Sequence, residues 1–383
     1  MRTHFINIFR FLVGPFLCIA MQLTAAQTGP DASDTEILIG QSCQLSGPLA
    51  ALSSEVRQGA SLYFDHVNAS GGVRGRKIRV IALDDAYDPG KAVENTRKLI
   101  MEEKVLALFQ YAGTPPALAA LPLVEEHRVP FIAPFTGSDA LRQKFSPYVF
   151  NIKAGYSTEL EAMVKQLATV GISKVAAVYL NNPFGTGGRA ALEKLASAHK
   201  VALVAQAPLE VDGSKMDVVV DKVAKAAPQA IIIVSAGKPS IDFVDAYLKA
   251  GYRSTFYMLS VISNSQLIQA LGERARGIVV SQVVPSPWNQ SVGVSREFQA
   301  LANAKGIKEY TFSQMEGFLS AKFLVEALNR AGSKPTRESL IQSLEGMKNM
   351  NLGGYPVELS ATQHSSGKFI DLLILGRDGK FTK

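Results

Sequence analysis

The chain has 383 residues, too many for one ordinary hydrophobic core, so two domains are expected. With 47% hydrophobic and 19% charged residues it reads as a folded protein without disordered bulk. The formal charge of +7 is scattered, and the densest basic cluster, "RGRK" at 74–77, reads as a solvated turn, so no nucleic-acid partner is expected.

Residues 1–26 read as a signal peptide. Arg2, His4 and Arg10 precede or flank the apolar run 11–23, and Thr24-Ala25-Ala26 offers small residues for cleavage ahead of Gln27. The run is shorter than the ~20 residues needed to cross a bilayer. Bulky Phe16-Leu17 before Cys18 argues against a lipid anchor. Cleavage would leave 38 basic residues (40 less Arg2 and Arg10) against 33 acidic ones, and Cys43 as the only cysteine. An intramolecular disulfide is then impossible, and stability must come from core burial.

After a short polar linker, strand and helix patterns alternate. "EILIGQSC" reads as a strand. "GASLYFDHVNAS" reads as a helix with Ala60, Tyr63, Phe64 and Val67 on one face. Gly71-Gly72 stops it, and "RKIRVIALDD" is a second strand. "PGKAVENTRKLIMEE" (helix), "VLALFQY" (strand), "PPALAALPLVEEH" (helix) and "VPFIAPF" (strand) follow. The pattern then restarts at "TELEAMVKQLATVG" and runs through four more strands, the last of them "STFYMLS". A long helical pair, 294–304 and 312–331, comes next. "IDLLILGRDGKF" closes the chain as strands around a Gly-Arg-Asp-Gly turn. Short apolar runs alternating with amphipathic helices predict parallel strands joined by right-handed crossovers, that is, doubly wound α/β architecture in two similar lobes.

In such sheets ligands bind beyond the carboxyl ends of the strands. Six junctions there carry turn residues: "QSCQLSGPLAAL", "QYAGTPPAL", "PFTGSDAL", "NNPFGTGGRAAL", "SAGKPSID" and "LSVISNSQL". Split between two lobes, they predict a cleft lined by hydroxyls and backbone N–H groups. At the second junction Thr114 reads as a helix N-cap and Pro115 as the first helical residue. The two prolines delete donors, leaving the Gly113 and Thr114 N–H groups and the Thr114 hydroxyl. That set suits a carboxylate or carbonyl better than a phosphate. Catalytic constellations are missing. The five histidines are isolated, no cluster has metal-ligand spacing, and "GTGGR" at 185–189 lacks the lysine of a phosphate-binding loop. Cys43 reads as a buried structural thiol. No cofactor and no metal are expected.

These features resemble the periplasmic leucine/isoleucine/valine-binding protein family of ABC importers. The resemblance runs from about Ile37 to Phe381. It is carried by "IGQSCQLSGPLAAL", the stretch from "GASLYFDHVNASGG" through Asp84-Asp85 and Asp88-Pro89 to "TRKLI", "VPFIAPFTG" and the late "GRDGKF". It implies two Rossmann-like lobes joined by a three-strand hinge, the type I periplasmic binding protein fold. The crossings would fall near Lys153, Val283 and Gly354, giving lobes of 36–153 plus 284–353 and 154–283 plus 354–383. It also implies an exported periplasmic monomer that closes on a small carboxylate-bearing ligand and delivers it to ABC permease membrane subunits. A sensory receptor subunit and an exported enzyme are the alternatives from other classes.

The resemblance carries ligand contacts over only in part. The turn Ala112-Gly113-Thr114 would take the carboxylate, but Gly113 stands where the family has serine, so Thr114 must supply the hydroxyl. Phe135, Thr136 and Ser138 would face the ligand. Family tyrosines fall on Leu52, Phe184 and Gly237, and the acid that holds the α-ammonium falls on Ser260. Tyr111 adds a stacking surface. A buried ammonium without a carboxylate partner costs several kcal/mol. The expected ligand is therefore a small carboxylate with an apolar or aromatic body and no obligatory amine.

Overall fold

The computed structural model describes Met1, residues 35–376 and residues 381–382. The rest of the expected signal peptide, Cys18 and turn residues 377–379 lie outside the described residues. In chain order the first strands and helices are β1 (Glu36–Cys43), α1 (Ala50–Ala69), β2 (Lys77–Asp84), α2 (Pro89–Met101), β3 (Ala107–Phe109), α3 (Thr114–Glu126), β4 (Phe131–Ile132) and β5 (Val149–Phe150). The five strands form one all-parallel sheet in the order β2-β1-β3-β4-β5.

The second series is α4 (Tyr156–Thr169), β6 (Lys174–Leu180), α5 (Pro183–Ala198), β7 (Ala202–Leu209), α6 (Met216–Lys225), β8 (Ala230–Val234), α7 (Gly237–Lys249), β9 (Thr255–Met258), α8 (Asn264–Leu271) and β10 (Val279–Gln282). Its parallel strands are ordered β7-β6-β8-β9-β10, the same winding as the first sheet. Then come α9 (Gly293–Ala304), α10 (Phe312–Arg330), α11 (Arg337–Glu345), a short hairpin of β11 (Met350–Asn351) with β12 (Pro356–Val357), and the strands β13 (Asp371–Leu375) and β14 (Phe381–Thr382). β13 adds antiparallel to β10 at the edge of the second sheet, and β14 adds antiparallel to β13. The expected pair of doubly wound lobes is present, and their likeness lies in strand order.

Each sheet has apolar clusters on both faces. On the first, α1, α9, α10 and α11 cover one face and α2 with α3 the other. On the second, α4 and α5 cover one face and α6, α7 and α8 the other. The chain passes between sheets after β5, after β10 and before β13. One side chain joins the first two passages: the Tyr355 hydroxyl donates to the Ile152 carbonyl at 2.6 Å and lies 3.4 Å from that of Val283.

Two local expectations change. The first helix begins at Ala50, not at Gly59, because the turn closed by the Ala50 N–H on the Gly47 carbonyl runs directly into it. The run "VPFIAPF" keeps only Phe131–Ile132 as strand, since Ala133 takes a left-handed φ of 48°. "GTGGR" lies inside α5 and forms no loop.

Helix α1 packs on α10 at backbone distance. A Cβ on Gly317 would sit 1.9 Å from the Val56 carbonyl oxygen, and one on Gly59 would sit 1.8 Å from that of Gln314. Gly317→Ala should therefore destabilise the chain by about 1–3 kcal/mol in urea titrations, despite the better helix propensity of alanine. A stabilised variant would show that the helices have room to spare.

His364 is buried against Phe150 at 4.1 Å, with Nε2 3.2 Å from Glu345 and Nδ1 3.1 Å from the Ser146 carbonyl. Burial pushes its pKa below the ordinary 6.5, although Glu345 opposes this. The folded state thus binds fewer protons than the unfolded chain just below pH 6.5. Stability from this group is full above that pH and falls as pH drops through the window beneath it. Urea midpoints measured from pH 7.5 downward should decline there, and His364→Gln should flatten the decline.

Candidate functional site

In a sheet ordered 2-1-3-4-5, connections diverge between the first and third strands. That switch point lies between β1 and β3 in one lobe and between β6 and β8 in the other. The carboxyl ends of these strands meet across a narrow cleft whose free space is only about 20 Å³. All six predicted junctions reach it: Gln44, Leu49 and Leu52 from the first, with Ser53 next after it, Ala112, Gly113 and Thr114 from the second, Phe135 from the third, Phe184 from the fourth, Ala236 from the fifth and Val261 from the sixth. Tyr87 and Tyr156 complete the lining, which contains no charged side chain.

Asp84 and Asp85 set the first-lobe loops. Asp84 accepts from the Leu45, Ser46 and Ala86 N–H groups and from the Ser46 hydroxyl. Burial alone would raise its pKa, but these donors together bring it below the usual value. Asp85 is fully buried and accepts from Ser42, Gln44 and the Tyr87 N–H. Its pKa is raised by burial. The pair fastens the β1–α1 and β2–α2 loops to each other, and so places Leu49 and Leu52 opposite Tyr87.

The α3 turn differs from its expected form. Gly113, not Thr114, is the N-cap: its carbonyl accepts from Ala117 at 3.2 Å and Thr114 is the first helical residue. The Gly113 N–H is engaged by the Phe135 carbonyl at 3.1 Å and is no free ligand donor. The Thr114 N–H has no intrahelical acceptor, as at any helix start. The Thr114 hydroxyl lies 2.7 Å from that of Thr136. Gly113 has φ 90°, and a Cβ there would lie 2.3 Å from the Tyr87 ring. The tyrosine ring thus takes the space a side chain at 113 would need.

The same substitution of space recurs twice. A Cβ on Gly137 would lie 2.6 Å from the Tyr156 ring, and one on Gly237 would lie 2.5 Å from Leu49. Tyr156 tilts against Phe184, with ring centroids 4.8 Å apart. The tyrosine hydroxyls have only distant partners at 3.5 Å, Asn182 for Tyr87 and Thr136 for Tyr156. Burial raises the pKa of both phenols, so they are neutral donors near neutral pH.

Four expected residues do not line the cleft. Tyr111 is buried on the far side of the sheet, 3.1 Å from the Thr96 hydroxyl and edge-on to Phe131. The left-handed φ of 51° at Gln110 breaks the alternation that would have turned it the other way. Thr136 is fully buried behind Thr114, and the Ser138 N–H closes onto its hydroxyl at 3.2 Å. Arg142 holds this turn from below through the Thr136 and Ser138 carbonyls. Ser260 faces Glu159, giving it an N–H bond of 2.8 Å and a hydroxyl bond of 3.1 Å. Glu159 is fully buried and also accepts from Ser281. Burial raises its pKa, and Lys153 and these donors offset part of the rise.

Sequence reading missed Tyr87 and Tyr156. Tyr87 adjoins the Asp84-Asp85 pair and has the φ of 66° that such a tight turn demands. Tyr156 opens α4 directly after Gly155. Both belong to polar turns at strand or crossing ends, so that position was the signal available. Cys43 is fully buried behind the cleft, and burial pushes its thiol up to about 12.

Two matching switch points facing one apolar cleft define a two-lobed α/β fold. The chain belongs to the family described as periplasmic binding protein, whose model matches residues 36–368. It is similar to a substrate-binding periplasmic protein from Ralstonia solanacearum, 31% identical, with a TM-score of 0.85 over 90% of this chain and 99% of that one. An extracellular ligand-binding receptor from Verminephrobacter eiseniae is 27% identical, with a TM-score of 0.84 over 91% and 100%. The Leu/Ile/Val-binding protein homolog 7 of Brucella abortus (strain 2308) is 22% identical over 329 residues, 82% of each chain.

The Gly113–Tyr87 contact can be tested without a ligand. Gly113→Ser should destabilise the chain by about 1–3 kcal/mol through backbone strain and the clash. Adding Tyr87→Ala should return the steric part, so a double-mutant cycle in urea should show the two sites strongly coupled. Additive effects would mean that the ring does not fill that space.

Proposed function

We propose that the protein is the solute-binding component of an ABC importer. It is exported with residues 1–26 removed, captures a small carboxylate with an apolar or aromatic body, and releases it unchanged to membrane permease subunits. The observation that carries this reading is the lining of the cleft. Leucine, alanine, valine, phenylalanine and tyrosine side chains surround a few neutral donors, and no carboxylate lines it to receive an ammonium. Glu159 stands nearest the position implied for that acid, but it is capped by Ser260 and Ser281.

In this reading the Thr114 hydroxyl and N–H, with the Tyr87 and Tyr156 hydroxyls, hold the carboxylate. Leu52, Phe135 and Phe184 cover the apolar body, and Thr136 orients Thr114. Ala112 and Gly113 shape the wall without donating. The lobes comprise 36–153 with 284–366, and 154–283 with the C-terminal strands. For the third crossing, the packing of residues 355–366 supports a point near Gly367 in place of Gly354. Leu359, His364 and Ser366 bond to Met347, Glu345 and Asn151 on the first-lobe side. A Cβ on Gly367 would lie 1.9 Å from the Lys153 carbonyl carbon.

Mass spectrometry of compounds released from the denatured protein should yield a carboxylic acid. Calorimetry with leucine, its deaminated keto acid and benzoate should rank an acid without an amine above leucine. Thr114→Val should weaken the binding of that acid by roughly 10- to 150-fold, the loss of one hydrogen bond to a charged group. Tight leucine binding with failure of both acids would overturn the ligand class.

A further inference from the structure

Glu55 lies one turn beyond Leu52 on α1, a first-lobe helix, yet its bonds go to the second lobe. Its Oε1 accepts from the Ser263 hydroxyl at 2.5 Å and the Ser265 hydroxyl at 2.8 Å. Ser263 is the N-cap of α8 and accepts from the Gln266 N–H, while the two serine hydroxyls lie 3.0 Å apart. The carboxylate therefore sits over the positive end of a helix in the opposite lobe, held by two hydroxyl donors. Its other oxygen, Oε2, is buried without a hydrogen-bond partner. Burying that oxygen is unfavourable by itself, so the contact with α8 must outweigh it for the lobes to meet here. In an open cleft, Oε2 would regain water and both serines would lose the carboxylate.

We propose that Glu55 is the latch of the closed cleft, a first-lobe carboxylate that engages α8 only when the lobes meet and so sets how long a captured molecule is held. This rests on the reading that the cleft works by closing, and not on the chemistry of its ligand. Glu55 does not line the cleft, so it is a positioning residue that acts through lobe geometry. Two properties follow. Changing Glu55 alters residence time without altering the ranking of ligands. The latch also leaves the interior of either lobe unchanged, since both of its partners belong to the opposing surface.

The test measures lobe separation directly. Spin labels are placed on the exposed positions Lys98→Cys and Lys222→Cys, one on each lobe, in the full mature chain as purified. Glu55→Ala should lower the closed-to-open ratio by about tenfold or more, the loss of a charge-assisted bond. Glu55→Gln, which keeps an acceptor oxygen, should fall between. Ser265→Ala should shift the ratio in the same direction by less, and it decides the matter if Glu55→Ala does not fold. Unchanged distance distributions in Glu55→Ala, or in Ser265→Ala where that variant decides, would overturn the latch. A longer separation together with failure of leucine, the keto acid and benzoate to bind would support the latch while overturning the proposed ligand class.

Discussion

The buried ion pair of Lys153 and Glu316 is the constraint from which the cleft is built. The ammonium lies 2.9 Å from the carboxylate, and both side chains are less than a tenth exposed. Burial alone would pull the lysine pKa down, but Glu316 and its neighbours hold it above the ordinary value; burial in turn raises the Glu316 carboxyl, and Lys153 offsets part of that rise. Losing one partner of such a pair typically costs about 3–5 kcal/mol, because the other charge is left buried and alone. The pair ties the first crossing to α10. Close glycine contacts tie α10 to α1, and α1 carries Leu52 and Ser53 into the cleft. Lys153 also lies 4.6 Å from the centre of the Phe135 ring, on the cleft wall. Hinge and wall therefore share one electrostatic anchor.

Around that anchor the two sheets repeat one winding, and the repetition determines where a ligand can be held. Each lobe alone offers a shallow crevice at its switch point. Facing each other, the crevices make one site whose apolar walls come from both sheets and are buried between them. The polar groups that remain are neutral.

Much of this was legible from the residues. Alternating apolar runs and amphipathic helices identified most strands and their parallel direction, because burial on both faces leaves a plain apolar signature, but not the strand order or the strands β5 and β10. The six polar turns also marked the cleft correctly as a place. Which residues of those turns face inward was less legible, because single backbone angles decide it. Gln110 with a left-handed φ sends Tyr111 into the core. Gly113 gives its N–H to Phe135, a partner more than twenty residues away whose approach depends on the packing of β3 against β4. Tyr87 and Tyr156 enter from segments that look like ordinary connections. Local pattern could not show that their rings would occupy space vacated by glycines elsewhere in the chain.

Those glycine pairings bear on how such a cleft changes specificity. At Gly113 with Tyr87, Gly137 with Tyr156 and Gly237 with Leu49, the absent side chain of one residue is the seat of another. Enlarging the glycine alone produces a collision, and shrinking its partner alone opens a hole. A new selectivity is therefore reached most easily by paired changes, each half of which is disfavoured without the other. Such a pocket evolves in jumps, and lineages that share the fold can be separated by valleys of poorly folded intermediates even where their ligands differ by a few atoms.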